Sequence, residues 1–128
     1  MNTTILTCPC GTTEYAKCCG RYHSGTPAPD AESLMRSRYS AYALGLQDYL
    51  LSSWHPDTRP TSLDLGADNE KWLELEIKKH NLNSSDSATV EFVARYKIKG
   101  RAYRLHEISR FVREDGRWLY LDGEFPEK

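Results

Sequence analysis

The chain has 128 residues, 39% of them hydrophobic and 27% charged, a balance that fits one globular domain with a small appendage and excludes a disordered polymer. No apolar run approaches the ~18 residues that span a bilayer, and a formal net charge of −1 gives no overall pull toward nucleic acid or anionic lipid. Three Trp, eight Tyr and three Phe are enough for a modest core, and a soluble cytoplasmic protein is the expectation.

The amino-terminal segment is organised by cysteine. All four thiols of the chain fall in Cys8-Pro9-Cys10 and Cys18-Cys19. A Cys-x-Cys pair turns two thiolates toward one ion, and an adjacent pair can close the other half of a tetrahedron. Zn²⁺ suits four soft ligands and has no redox chemistry of its own. Gly11, directly after the first pair, offers the positive φ that a tight knuckle needs. The alternatives are two disulfides or four ordinary thiols. The first seven residues have no basic n-region and only a two-residue apolar run, so no signal peptide is expected, and without export metal binding is favoured over disulfides. His23, four residues beyond Cys19, is the substitute ligand if Cys19 points away. Either set fills the shell, which makes the zinc structural, since catalytic zinc keeps a position for water.

Residues 23–29 contain two prolines and a glycine and read as a linker. The chain thus divides into a zinc-binding motif over residues 1–25, which includes the start of that linker, and an α+β domain over residues 26–128. Asp30 stands as an N-cap before a helix over residues 31–44, with Glu32 in the first turn and Gly45 as C-cap. Leu34, Met35, Ala41 and Tyr42 share a broad face of that helix, with Arg38 beside it. A second helix over residues 46–53 brings Tyr49, Leu50 and Leu51 inward. It ends at Trp54-His55-Pro56, because the residue before a proline is pushed out of the α region. Residues 57–66 read as a loop.

From residue 72 the hydrophobic period changes to two. Residues 72–78 place Leu73, Leu75 and Ile77 on one face and Trp72, Glu74 and Glu76 on the other. Residues 81–86 form a polar turn cluster. Residues 88–98 alternate through Val90, Phe92, Ala94 and Tyr96, Gly100 turns the chain, and residues 101–113 make a third strand. Glu114-Asp115-Gly116 is a hairpin signal leading into a fourth strand over residues 117–122. Four consecutive strands predict an antiparallel meander, with the two preceding helices packed across one face of a curved four-stranded sheet.

The concave side of such a sheet is the natural place for a ligand. Tyr103, Leu105, Glu107, Ser109 and Phe111 share a face, so Glu107 lies in a largely apolar register and must be paired or take up a proton. Arg38 and His55 are its candidate partners, while Arg110 goes to the opposite face. One reading is an acid/base or ligand-anchoring cluster of Glu107, His55 and Arg38, joined by Tyr39 and Asp122. The other is a structural ion pair that fixes helix against sheet. Tyr39, Tyr42, Trp54, Trp118 and Tyr120 also read as core aromatics with a satisfied polar end. A nucleic-acid grip would require Arg36, Arg38, Lys97, Lys99 and Arg101 to merge into one patch.

The run Cys8-Pro9-Cys10-Gly11-Thr12-Thr13-Glu14-Tyr15-Ala16-Lys17-Cys18-Cys19-Gly20 resembles the SEC-C motif, the small zinc-binding element at the C-terminus of SecA. That resemblance implies that Cys8, Cys10, Cys18 and Cys19 bind zinc together. The segments Leu34-Met35-Arg36-Ser37-Arg38-Tyr39-Ser40-Ala41-Tyr42, Tyr49-Leu50-Leu51-Ser52-Ser53-Trp54-His55-Pro56 and Trp118-Leu119-Tyr120-Leu121-Asp122-Gly123 resemble the YchJ-like family of bacterial proteins. The implied body is a nuclear transport factor 2-like cone, in agreement with the helices-then-meander order. No established activity comes with the resemblance, and cone folds host isomerases, dehydratases and pure binding domains alike. Two functions are therefore expected. The first is a non-enzymatic adaptor that presents the knuckle, with Lys17, Arg21 and Tyr22 as contacts. The similar element in SecA meets SecB and the ribosome. The second is a small-molecule binder, or an acid/base enzyme of isomerase or dehydratase type with Glu107 and His55 at work in the cavity.

Overall fold

A computed structural model describes residues 7–11, 13–63, 65 and 70–126. A short 3-10 turn (Tyr15–Lys17) and a one-turn helix α1 (Cys19–His23) precede the helices α2 (Ala31–Leu44) and α3 (Gln47–Ser52). Four strands follow: β1 (Lys71–Ser84), β2 (Ser87–Ile98), β3 (Arg101–Glu114) and β4 (Arg117–Glu124). Helix α2 starts where the Asp30 side chain accepts the Ser33 N–H at 2.7 Å, and it stops where Gly45 takes φ 74°. Helix α1 is additional to the two expected helices. Its Gly20 lies so close to the 3-10 turn that a Cβ there would come within 2.7 Å of the Tyr15 carbonyl oxygen.

The sheet is an antiparallel meander in the order β1-β2-β3-β4. Lys99-Gly100 and Asp115-Gly116 link its strands with φ values of 52° and 80°, and 53° and 78°, the positive pair that a type I′ turn demands. Two expectations for β1 are corrected. The polar cluster at residues 81–86 is mostly strand, because Asn81 pairs with Thr89 and Leu82 with Ala88, and only Ser85 and Asp86 turn. The side chains of this edge segment are solvated while its backbone is satisfied by the ladder, so composition alone misplaces the turn. The face assignment also changes. A register shift between Trp72 and Glu74 turns Trp72 inward against Tyr39 and Tyr42 and leaves Leu73 49% exposed, while Leu75 and Ile77 keep the core side.

The core is formed where Ala88, Val90, Phe92, Ala94, Phe111 and Trp118 of the sheet meet Ala31, Leu34, Met35 and Tyr39 of α2. The four cysteines belong to the same buried cluster. The knuckle is thus docked on the body and does not hang from its tether. This explains why α2 buries Ser37 and Ser40 completely. Ser40 Oγ lies 3.4 Å from Cys8 Sγ. The Ser37 hydroxyl donates to the Leu34 carbonyl at 2.7 Å and lies 2.6 Å from the Tyr49 hydroxyl. No helix among the described residues is long and apolar enough to cross a membrane.

Candidate functional site

The cysteine cluster is built by short backbone closures. Thr7 bridges Glu14, the Cys8 N–H donates to the Thr13 carbonyl at 2.8 Å, and the Gly11 N–H returns to the Cys8 carbonyl at 2.9 Å. Gly11 holds φ 89°, so the first pair is wound as the sequence requires. The 3-10 turn delivers the second pair, the Cys18 N–H donating to the Tyr15 carbonyl at 3.0 Å. All four Sγ atoms are buried and lie within 4.8 Å of one another, with Cys10 to Cys18 at 3.5 Å and Cys18 to Cys19 at 3.9 Å. None is in a disulfide. A tetrahedral shell with metal–sulfur distances of ~2.3 Å has sulfur–sulfur edges of ~3.8 Å, so these four could hold one metal ion. Hydrogen bonding to Cys10, and then burial, pushes the Cys19 thiol up. Four thiols packed in a dry site give up their protons together only to a cation.

His23 stands apart from this set, which corrects its candidacy as a substitute ligand. Its Nε2–H donates to the Ser37 carbonyl at 2.8 Å, and its Nδ1 accepts from the Tyr15 hydroxyl at 2.5 Å. Both ring nitrogens are therefore used to tie the knuckle to α2. Burial pushes the His23 pKa down, partly offset by the Ser37 carbonyl. Lys17 is exposed beside Glu14, and exposed Arg21 donates to the Cys18 carbonyl and the Tyr22 hydroxyl. Tyr22 itself is buried, so it is not the surface contact the sequence suggested.

A cavity of about 340 Å³ lies between α2 and the sheet. Trp72, Tyr39, Tyr42, Phe92 and Leu105 supply apolar wall, and Arg38, Glu107 and Ser109 supply polar atoms. Burial pushes the Tyr39 hydroxyl up to about 12, so it stays protonated. Glu107 is 8% exposed, and its Oε2 accepts from the Ser109 hydroxyl at 2.8 Å and from the Tyr120 hydroxyl at 2.9 Å. Burial, and then Glu107, pushes the Tyr120 hydroxyl far up, which keeps its proton available for this bond. Gly123 makes the placement possible, because a Cβ there would fall 2.0 Å from Glu107 Oε2. Arg38 is 3% exposed and donates from Nη1 to the Leu50 carbonyl at 2.8 Å and to Ser53 Oγ at 2.7 Å. Its guanidinium lies 5.0 Å from the Trp54 ring centre and 4.5 Å from that of Tyr120. Burial pushes the Arg38 pKa down, and Tyr42, Tyr120, Tyr49 and Glu107 oppose that shift.

Two of the predicted cavity residues go elsewhere. The His55 backbone N–H donates to the Tyr120 carbonyl at 2.7 Å, fixing the turn after α3 to β4. Its side chain meets Glu114 through Nε2 at 2.7 Å, while Nδ1 accepts the Asp57 N–H at 3.1 Å. Asp122 forms a two-pronged pair with Arg110, both bonds 2.6 Å, on the opposite face of the sheet. A register shift at Arg110/Phe111 produces this placement. Neither residue lines the cavity. The basic residues do not merge either: Arg38 is buried, Arg36 pairs with Glu32, and Lys97, Lys99 and Arg101 flank the β2–β3 turn. Sequence reasoning missed Trp72 as a wall, and it missed Ser109 and Tyr120 as the donors that hold Glu107. Gly123 inside a strand was the available signal, since such a glycine marks a close approach.

With this geometry in place, comparison with known proteins is decisive. The profile of the family described as YchJ, middle NTF2-like domain, matches residues 30–123. The chain belongs to that family. A UPF0225 protein of Methylibium petroleiphilum is 58% identical over 121 residues, covering 93% of this chain and 88% of the relative. One from Bordetella pertussis is also 58% identical, with 91% of each chain covered. The solution structure of RPA3114, a SEC-C motif containing protein from Rhodopseudomonas palustris, superposes with a TM-score of 0.83 at 33% identity, over 95% of this chain and all of that one. The crystal structure of a SEC-C motif containing protein from Psychrobacter arcticus gives a TM-score of 0.78 at 31% identity, over 100% of this chain and 87% of that one. The family thus joins a SEC-C motif, whose cysteines could hold a metal ion, to an NTF2-like body.

Proposed function

We propose that Cys8, Cys10, Cys18 and Cys19 hold a structural Zn²⁺ that fixes the knuckle against α2, and that the protein works by binding a small molecule in the cavity beside that helix. The observation that carries the reading is Glu107, a buried carboxyl group held by two donors on the wall of a mostly aromatic cavity. A volume of about 340 Å³ falls at the small end of the roughly 300–1,000 Å³ usual for small-molecule sites. Four thiolates leave the zinc no position for water, so its part is to hold the fold. Four buried cysteines outside any disulfide also suit a reducing compartment such as the cytoplasm. Binding is favoured over catalysis because His55, the expected acid/base partner, faces Glu114 instead of Glu107.

The test is an NMR screen of the whole zinc-loaded chain against a library of small aromatic and aliphatic compounds. Saturable shifts at Phe92, Ala94 and Leu105 are expected, and they weaken in Ala94→Leu, which narrows the cavity. No saturable shift there, or binding unaffected by Ala94→Leu, removes the reading. A second reading rests on the exposed Lys17 and Arg21, which flank the cysteines as a basic surface for a protein partner. By resemblance to the element in SecA, SecB and the ribosome are the partners to try. Co-sedimentation with either, lost in the Lys17→Glu, Arg21→Glu double variant, is its expected result, and no co-sedimentation rejects it.

A further inference from the structure

We propose that the cavity selects uncharged molecules bearing a hydroxyl group, and that it seats this hydroxyl between Oε1 of Glu107 and the indole N–H of Trp54; the proposal rests on the small-molecule reading above. Charge balance comes first. Arg38 and Glu107 are both buried on the cavity wall, and Glu107 opposes the downward push of burial on Arg38. Their opposite charges offset one another on the buried part of the wall, so an anionic or cationic ligand would leave a net charge there, which is costly. A neutral ligand avoids that cost.

Hydrogen-bond capacity comes second. A carboxylate offers about four acceptor sites, and Glu107 uses two of them, both on Oε2. Its Oε1 has no hydrogen bond among the described residues. The hydroxyl protons of Ser109 and Tyr120 are spent on Oε2, and Arg38 Nη1 is spent on Leu50 and Ser53. Trp54 lines the same cavity, and its Nε1 is a buried donor with no partner among the described residues. Orphaned buried groups of this kind are rare in folded proteins and mark places where a ligand or water supplies the missing partner. The Oε1 acceptor and the buried, partnerless Trp54 N–H together match a hydroxyl, which donates one hydrogen and accepts another. The rest of the wall, with Trp72, Phe92 and Leu105, suits an aromatic or other apolar body.

The test compares four probes of similar size with the whole zinc-loaded chain at pH 7: phenol, toluene, benzoate and benzylamine, each titrated by NMR. Phenol is expected to bind at least about tenfold more tightly than each of the other three, the effect of one hydrogen bond to a charged group. Glu107→Gln is expected to bring phenol to within about threefold of toluene. Trp54→Phe keeps a ring in place but removes the donor, and it is expected to weaken phenol more than it weakens toluene. That second variant keeps the proposal testable if Glu107→Gln fails to fold. Toluene binding as tightly as phenol overturns the hydroxyl preference while leaving the cavity reading intact. Benzoate or benzylamine binding more tightly than phenol overturns the neutrality argument. No saturable shift with any of the four overturns the cavity reading and this proposal together.

Discussion

Gly123 is the residue on which the position of Glu107 turns. A methyl group there would meet Oε2 at 2.0 Å and the carboxyl carbon at 2.7 Å, both far inside contact distance. The carboxyl group cannot step aside without giving up Ser109 and Tyr120. Gly123→Ala is therefore expected to cost about 1–3 kcal/mol in urea unfolding, the usual range for overpacking a filled site. A variant as stable as the parent would mean that Glu107 is free to move. His23 gives a pH dependence of definite sign. Its pKa in the folded chain lies below the ordinary 6.5, because burial disfavours the charged ring. The unfolded chain then binds the proton more readily, so this contribution to stability is complete above about 6.5 and is lost as pH falls through the lower folded value. An NMR titration of the ring is expected to show a midpoint below 6.5. At equal metal content, His23→Gln should lose less stability than the parent between pH 7 and pH 5. A midpoint at or above 6.5 contradicts the burial argument.

At the scale of elements, α2 carries the clearest local signals and the least expected burial. Asp30→Ala removes the side-chain acceptor for the Ser33 N–H and is expected to cost about 1 kcal/mol by chemical denaturation. Its effect should be confined to stability, leaving metal content unchanged. The cap at Asp30, the stop at Gly45 and the turn at Asp115-Gly116 were legible because each depends on two to four neighbouring residues. The alternation in β2 and β3 was legible for the same reason, and it placed Glu107 on the core side. What the sequence concealed is non-local. The register shift after Trp72 depends on pairing with β2, and it exchanges the faces of Trp72 and Leu73. The edge segment at Asn81 and Leu82 is strand because β2 supplies its hydrogen bonds, whatever its own propensity. Buried Ser37 and Ser40 make sense only once the knuckle and α3 are seen packed against them. His55 and Asp122 were drawn toward Glu107 by chemical type, and only tertiary geometry assigns them to Glu114 and Arg110.

At the scale of the whole molecule, the knuckle and the body form one packed unit. Cys8 touches Ser40, His23 bonds to Ser37, and the cysteines share a hydrophobic cluster with Leu34, Met35 and Tyr39. The face of α2 that bears Ser37 and Ser40 is covered by the knuckle and α3, and its other face covers the cavity. Loss of a metal held by the four cysteines is therefore expected to reach beyond the first twenty-five residues. Without a cation, nothing draws the four buried sulfurs to one centre, and the knuckle loses the closure that holds it over the helix. Ligand-linked stability then falls for every element that unfolds together with α2. All three tryptophans, Trp54, Trp72 and Trp118, lie in the body and none in the knuckle, so their fluorescence reports on the sheet and its helices alone. Removal of metal by a strong chelator, or the Cys10→Ser substitution, is expected to lower the tryptophan-monitored melting temperature by about 10 °C or more, as losing roughly 3 kcal/mol does in a domain of this size. Elemental analysis of the same samples should show the metal falling from about one per chain to near zero. If the metal leaves and the tryptophan transition stays where it was, the knuckle is an independent appendage after all, and the burial of Ser37 and Ser40 needs another cause.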